Sequence, residues 1–259
     1  MAFLQVNFYS KSLKRLTMFN ALVPLDAWGE EQPKTPFKAI YLLHGYSGNH
    51  MDWICGSRIQ ELSSKYGIAV FMPSGENNFY LDDTDKAELH GEYVGAELVE
   101  FTRKMFPISD KREDTFVGGF SMGGYGAIHT GLKYNFNFGK IIALSSALII
   151  RDISGMPADF KGPIADYGYY RRVFGDLNEV VGSDRDPEAL AENLKKEGKE
   201  IPSIYMACGT EDFLIAQNRA YHDFLTSSGI EHTYVEGPGV HDWRFWDEYI
   251  EKAIIWALG

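Results

Sequence analysis

The run Val117-Gly118-Gly119-Phe120-Ser121-Met122-Gly123-Gly124-Tyr125-Gly126-Ala127 constrains the fold of this chain more than any other stretch. It contains Gly-x-Ser-x-Gly (Gly119, Ser121, Gly123), follows a β-type run at 114–117 and precedes a helix-compatible run at 125–134. A strand that stops and turns sharply into a helix holds the residue at its apex in a strained conformation. Glycines are needed on both sides, because a Cβ there would collide with the neighbouring strand and helix. The turn would lift the Ser121 hydroxyl clear of the sheet, at a helix N-terminus where backbone N–H groups favour negative charge. A glycine-rich turn of no chemical consequence could carry the same five residues, so the rest of the chain has to decide.

The surrounding pattern supplies the context. Residues 4–9 and 16–23 read as antiparallel strands, and Pro24 with the Pro33–Pro36 stretch interrupts regular structure after them. Residues 38–43 form a short apolar run ending at His44-Gly45, as a buried parallel strand would. Helices are expected at 59–65 and 92–106, the latter with Val94, Leu98, Phe101 and Met105 on one face and Pro107 as its stop. Strands are expected at 68–72, 140–144, 203–207 and 232–236, and further helices at 187–196, 215–227 and 243–258. Strands alternating with helices after an antiparallel start imply an α/β fold, with a mainly parallel central sheet and helices on both faces. At 259 residues the whole chain, 1–259, is expected to be one domain, with no repeat or linker dividing it. The irregular stretch 145–201 is longer than an ordinary crossover and is a candidate partial lid.

Residues that act on a ligand in such a sheet sit in loops at the carboxyl ends of the strands. A serine hydroxyl becomes nucleophilic when an imidazole takes its proton and a carboxylate orients that imidazole, here in the chain order serine, acid, histidine. Of the seven histidines, His44, His50 and His90 precede the serine, His129 and His222 fall within helices, and His232 opens a strand. His241 alone lies in a loop directly after the last strand. The strand at 204–207 runs out into Cys208-Gly209-Thr210-Glu211-Asp212-Phe213, which offers Asp212 and Glu211 as the acid; the shorter side chain of Asp212 suits a fixed turn. The oxyanion formed on attack needs N–H donors: the backbone N–H of Met122, and that of Tyr46 in the loop after the 38–43 strand, where Gly45 permits close backbone approach. His44 is expected to hold that loop by hydrogen bonding. Candidate substrate contacts are Phe79 and Tyr80 in the loop Asn77-Asn78-Phe79-Tyr80-Leu81-Asp82, with Trp53 and Trp243 beside the oxyanion and histidine loops. Asp242 and Asp247 read as cap or surface charges of the last helix.

Four segments together resemble the esterase D group of α/β-hydrolases, and within it the bacterial tributyrin-esterase branch. They are Tyr41-Leu42-Leu43-His44-Gly45-Tyr46-Ser47-Gly48-Asn49-His50, the run around Ser121, Cys208-Gly209-Thr210-Glu211-Asp212-Phe213-Leu214, and His241-Asp242-Trp243-Arg244-Phe245-Trp246. Val173-Phe174-Gly175-Asp176-Leu177 and the later Gly182-Ser183-x-x-Asp186-Pro187 fit the same branch. The resemblance implies the α/β-hydrolase fold, Ser121, Asp212 and His241 as a catalytic triad, and Tyr46 and Met122 as the oxyanion hole. It also implies hydrolysis of short-chain acyl esters or acylated oligosaccharides through an acyl-enzyme. Acyl transfer with the same triad, S-formylglutathione hydrolysis and a non-catalytic binding role are the alternatives; the Phe120/Tyr125 form of the elbow points away from the formylglutathione enzymes.

Composition narrows the partners. A formal charge of −11, with no lysine- or arginine-rich run, argues against nucleic acid. Two cysteines, Cys55 and Cys208, make no disulfide framework, and no metal-ligand spacing is present, so neither a metal nor another cofactor is expected. The N-terminus lacks the pattern of a secretory signal and no apolar run is long enough to span a bilayer. The expectation is therefore a cytoplasmic protein acting on a small-molecule ester, without membrane association, as a monomer or a homo-oligomer.

Overall fold

The computed structural model describes residues 1–26 and 34–259. Pro33 of the expected break at 33–36 lies outside them. Strands β1 (Ala2–Ser10) and β2 (Arg15–Val23) form an antiparallel hairpin with Ala2 opposite Val23 and Ser10 opposite Arg15. Six more strands complete the sheet: β3 (Ala39–Leu43), β4 (Ala69–Pro73), β5 (Thr115–Phe120), β6 (Lys140–Leu144), β7 (Ser203–Gly209) and β8 (His232–Gly237). They lie in the order β1-β2-β4-β3-β5-β6-β7-β8, parallel from β4 to β8, with β2 joining β4 antiparallel. A two-residue ladder pairs Asp82–Asp83 with Glu88–Leu89 apart from this sheet.

The central strands are apolar throughout because both faces are covered. Along β3, Tyr41 and Leu43 point into one core and Ile40 and Leu42 into the other, the period of two that a pleated strand imposes. The first core is closed by helix residues such as Leu98 and Ile128, the second by Leu62, Ile250 and Ile254. Helices α1 (Asp52–Gly56), α2 (Ile59–Tyr66), α3 (Leu98–Met105), α4 (Met122–Lys133), α5 (Ile150–Ile153), α6 (Tyr167–Phe174), α7 (Pro187–Lys196), α8 (Ile215–Ser227) and α9 (Trp243–Leu258) connect the strands. The helix expected at 92–106 is regular only over α3. Ahead of it, Tyr93–Glu97 is a π-helical turn from which Glu97 accepts hydrogen bonds from Ser10 Oγ (2.5 Å), Lys11 N (2.6 Å) and Ser12 N (3.2 Å). That carboxylate ties the helix to the β1–β2 turn. Among the described residues no helix is long and apolar enough to cross a membrane.

The sheet order reverses at β3: the chain goes from β3 to β4 on one side, then to β5 on the other. The loops leaving β3 and β5 diverge there, and a crevice opens at their carboxyl ends. Within 145–201, Ala147, Ile149, Ile164, Tyr169 and Tyr170 border a cleft beside Ser121. This stretch carries α5 and α6, which the sequence pattern did not indicate, as well as α7. Helix α4, which follows Ser121, holds this stretch: the Tyr125 hydroxyl donates to Arg185 O, and His129 Nε2 lies 2.8 Å from Asp184 O.

Candidate active site

Ser121 sits at the β5–α4 junction with φ 55° and ψ −121°, a region costly for a residue with a side chain. Its carbonyl accepts from Gly124 N and Ala147 N, both at 3.0 Å, and its N–H donates to Leu144 O at 2.9 Å. The two flanking glycines have no room for anything larger. A Cβ at Gly119 would stand 2.3 Å from Gly123 O, and one at Gly123 2.4 Å from Leu43 O and 2.6 Å from His44 O. The elbow is thus pressed against the loop that leaves β3.

The structure brings Ser121, His241 and Asp212 together from three strand ends. His241 Nε2 lies 2.9 Å from Ser121 Oγ, and His241 Nδ1 lies 2.9 Å from Asp212 Oδ2 and 3.0 Å from Oδ1. A carboxylate only accepts, so Nδ1 carries the ring proton and Nε2 faces the serine hydroxyl bare. Burial pushes the Asp212 carboxyl upward, but donation from His241 and from Leu214 N (2.8 Å) overcomes it and holds Asp212 below the usual carboxylate range. Glu211, the other candidate, turns away: it accepts from Gly239 N (2.8 Å) and Thr210 Oγ1 (2.7 Å), bracing the turn ahead of His241. The imidazole is flanked by Phe213 (ring centroids 4.5 Å apart) and Trp246 (4.9 Å, interplanar 88°).

Among the described residues, the backbone N–H groups of Tyr46 and Met122 have no protein partner, whereas their neighbours do: Ser47 N donates to Asn77 Oδ1 at 2.7 Å and Gly48 N to Gly45 O at 3.2 Å. His44 is structural. Its Nε2 accepts from Gly75 N (2.8 Å), so Nδ1 holds the proton and donates to Gly45 O (2.7 Å), and burial lowers its pKa.

A cleft of ≈ 80 Å³ opens beside Ser121 and Met122, bounded by Tyr46, Phe79, Ala147, Ile149, Ile164, Tyr169, Tyr170, Phe213 and Leu214. Of the four side chains expected to contact substrate, only Phe79 lines it. Tyr80 is fully buried beneath the loop, its hydroxyl donating to His44 O at 3.0 Å. Trp53 is buried with Nε1 on Leu43 O (3.1 Å), and Trp243 packs edge-on against Trp53 and Phe120. Tyr80 and Trp53 fill space under the loops and half-buried Trp243 packs against Trp53; their place in the sequence beside the site residues does not bring them to the cleft. Five of the eleven lining residues come from 145–201, where the sequence pattern singled out no residue. The Tyr167-x-Tyr169-Tyr170 cluster was the one visible signal, but nothing in a long irregular stretch says which way it folds back. Asp242 caps α9 by accepting from Arg244 N and Phe245 N, and Asp247 pairs with Arg58, as expected.

An α/β-hydrolase sheet with a serine, a histidine and a carboxylate meeting at its carboxyl edge is the frame of a hydrolytic enzyme. The family model described as "Putative esterase" matches residues 10–257, and the chain belongs to that family. It is 56% identical over 260 residues to an acetyl esterase of Caldicellulosiruptor saccharolyticus, covering 99% of this chain and 98% of that one. Among solved structures it is similar to the fluorophosphonate-binding serine hydrolase FphF of Staphylococcus aureus (27% identity, TM-score 0.88, 100% and 98% of the two chains covered). It is also similar to the S-formylglutathione hydrolase FrmB of the same organism (27% identity, TM-score 0.83, 100% and 99% covered).

Proposed function

We propose that this protein is a serine carboxylesterase for short-chain acyl esters, acetyl esters foremost, of the kind the tributyrin-esterase branch of the esterase D group represents. The observation that carries the reading is the unbroken line from Asp212 through His241 to Ser121 Oγ, each step within 3.0 Å, opening on a cleft of ≈ 80 Å³. Ser121 attacks the ester carbonyl while bare Nε2 of His241 takes the hydroxyl proton. Asp212 keeps the tautomer and stabilises the imidazolium. The N–H groups of Tyr46 and Met122 receive the oxyanion, at sites where losing one donor costs about 3–4 kcal/mol of barrier. The imidazolium then protonates the leaving alcohol, and water, activated by the same ring, releases the acid from the acyl-enzyme.

The cleft's apolar and tyrosine walls support an uncharged acyl group. We further propose that the chain is one domain in which 145–201 forms a partial lid, since Ile149, Ile164, Tyr169 and Tyr170 reach the cleft from that stretch. The likeness to the S-formylglutathione hydrolase keeps a thioester substrate as the second reading.

Labelling with a fluorophosphonate probe, lost in Ser121→Ala, tests the nucleophile. A series of p-nitrophenyl esters from acetate to decanoate, run beside S-formylglutathione and with added alcohol acceptors, tests the substrate and separates hydrolysis from acyl transfer. The expected outcome is a maximum in kcat/KM at acetate or butyrate. A maximum at eight carbons or more, or turnover of the thioester alone, overturns the short-chain ester reading.

A further inference from the structure

We propose that Asn218, a residue that touches neither the cleft nor the three reacting side chains, is a positioning residue that locks the acid turn to the strut behind the nucleophile. This rests on the esterase reading above. Asn218 lies in the first turn of α8 and is fully buried. Its Oδ1 accepts from Ser146 N (3.1 Å), while Nδ2 donates to Ser146 O (3.0 Å) and to Leu214 O (2.8 Å). Only one amide orientation satisfies all three, because the N–H needs an acceptor and both carbonyls need a donor.

What it joins gives the bonds their meaning. Beyond Ser146, the N–H of Ala147 supports Ser121 O at 3.0 Å; beyond Leu214, the N–H of that residue holds Asp212 Oδ1 at 2.8 Å. Asp212 orients His241, and His241 reaches back to Ser121 Oγ at 2.9 Å. The hydrogen bonds therefore close a ring through Ser121, 146–147, Asn218, 212–214 and His241. One amide sets the spacing between the loops after β6 and β7, and with it the alignment of acid, base and nucleophile. Ala147 and Leu214 also wall the cleft.

The test is Asn218→Ala beside the isosteric Asn218→Asp, which keeps the acceptor for Ser146 N but loses both donors. Active sites are counted by fluorophosphonate titration, and kcat per labelled site and KM are measured on p-nitrophenyl acetate together with the thermal midpoint. Misplacement of reacting groups by fractions of an ångström predicts a fall in kcat per site of about 10–100-fold with KM within about threefold in each variant. A purely structural amide would instead lower the thermal midpoint and the count of active sites while leaving kcat per labelled site at the wild-type value. That result in whichever variant folds overturns the proposal. Absence of labelling in the wild-type protein would instead defeat the reading of Ser121, independently of Asn218.

Discussion

At Asp212 two opposing influences on a carboxyl group meet: burial raises its pKa, and donation from His241 and Leu214 N more than cancels the effect. The surviving negative charge fixes the proton on His241 Nδ1 and leaves Nε2 free. Asp212→Asn should therefore fold normally and lose about 10⁴-fold in kcat, because an amide can donate to Nδ1 and stabilise the wrong tautomer; circular dichroism and steady-state kinetics check the two halves. The aromatic residues near the site divide by what they touch. Trp243 meets Trp53, Phe120 and Trp246, so Trp243→Ala should cost about 3 kcal/mol of stability, read by urea unfolding, with KM for acetate nearly unchanged. Tyr170 lines the cleft, so Tyr170→Ala should cost less than about 1 kcal/mol and shift the preferred p-nitrophenyl ester toward longer chains.

Among the elements, α7 shows how the 145–201 stretch is anchored. Asp186 precedes Pro187 and caps the helix, accepting from Glu188 N (3.0 Å) while also holding Gly182 N (2.9 Å). It is only 5% exposed, so its loss leaves both donors without a partner inside the protein. Asp186→Ala should lower stability by about 1–2 kcal/mol in thermal or urea unfolding. The helix was legible from Asp186-Pro187 and the apolar spacing after them, since a cap and a proline at the first helical position are local signals. Helix α6 was not. Its start is capped by Asp166, and Tyr167, Tyr170 and Phe174 recur at helical spacing, but the run is only eight residues long and sits between the glycines at 162 and 175, so it does not stand out from the irregular stretch around it.

Across the whole molecule, two histidines far from the chemistry govern behaviour in acid. His90 is fully buried and His129 nearly so, and burial lowers both to about 4. Unfolded, each ring titrates near 6.5. Between those values the unfolded chain binds more protons than the folded one, so stability is intact above pH about 6.5 and declines as the pH falls toward 4. Urea midpoints measured from pH 7 to pH 4 should fall over that window. In His129→Gln, which keeps a donor for Asp184 O, the decline should be shallower.

The sequence by itself determined the sheet, the elbow and which serine, carboxylate and histidine meet at the sheet's carboxyl edge. Buried parallel strands are short apolar runs, the strained apex demands glycines at 119 and 123, and a histidine directly after the last strand has one place to go. These are local constraints, written within a few residues of where they act. Only the tertiary structure decided which aromatics meet the cleft and which lie beneath it, how 145–201 folds back, and that a buried amide at 218 joins two loops. Those outcomes depend on contacts between segments distant in the chain, where a tyrosine or tryptophan has the same composition whether it faces a substrate or a core.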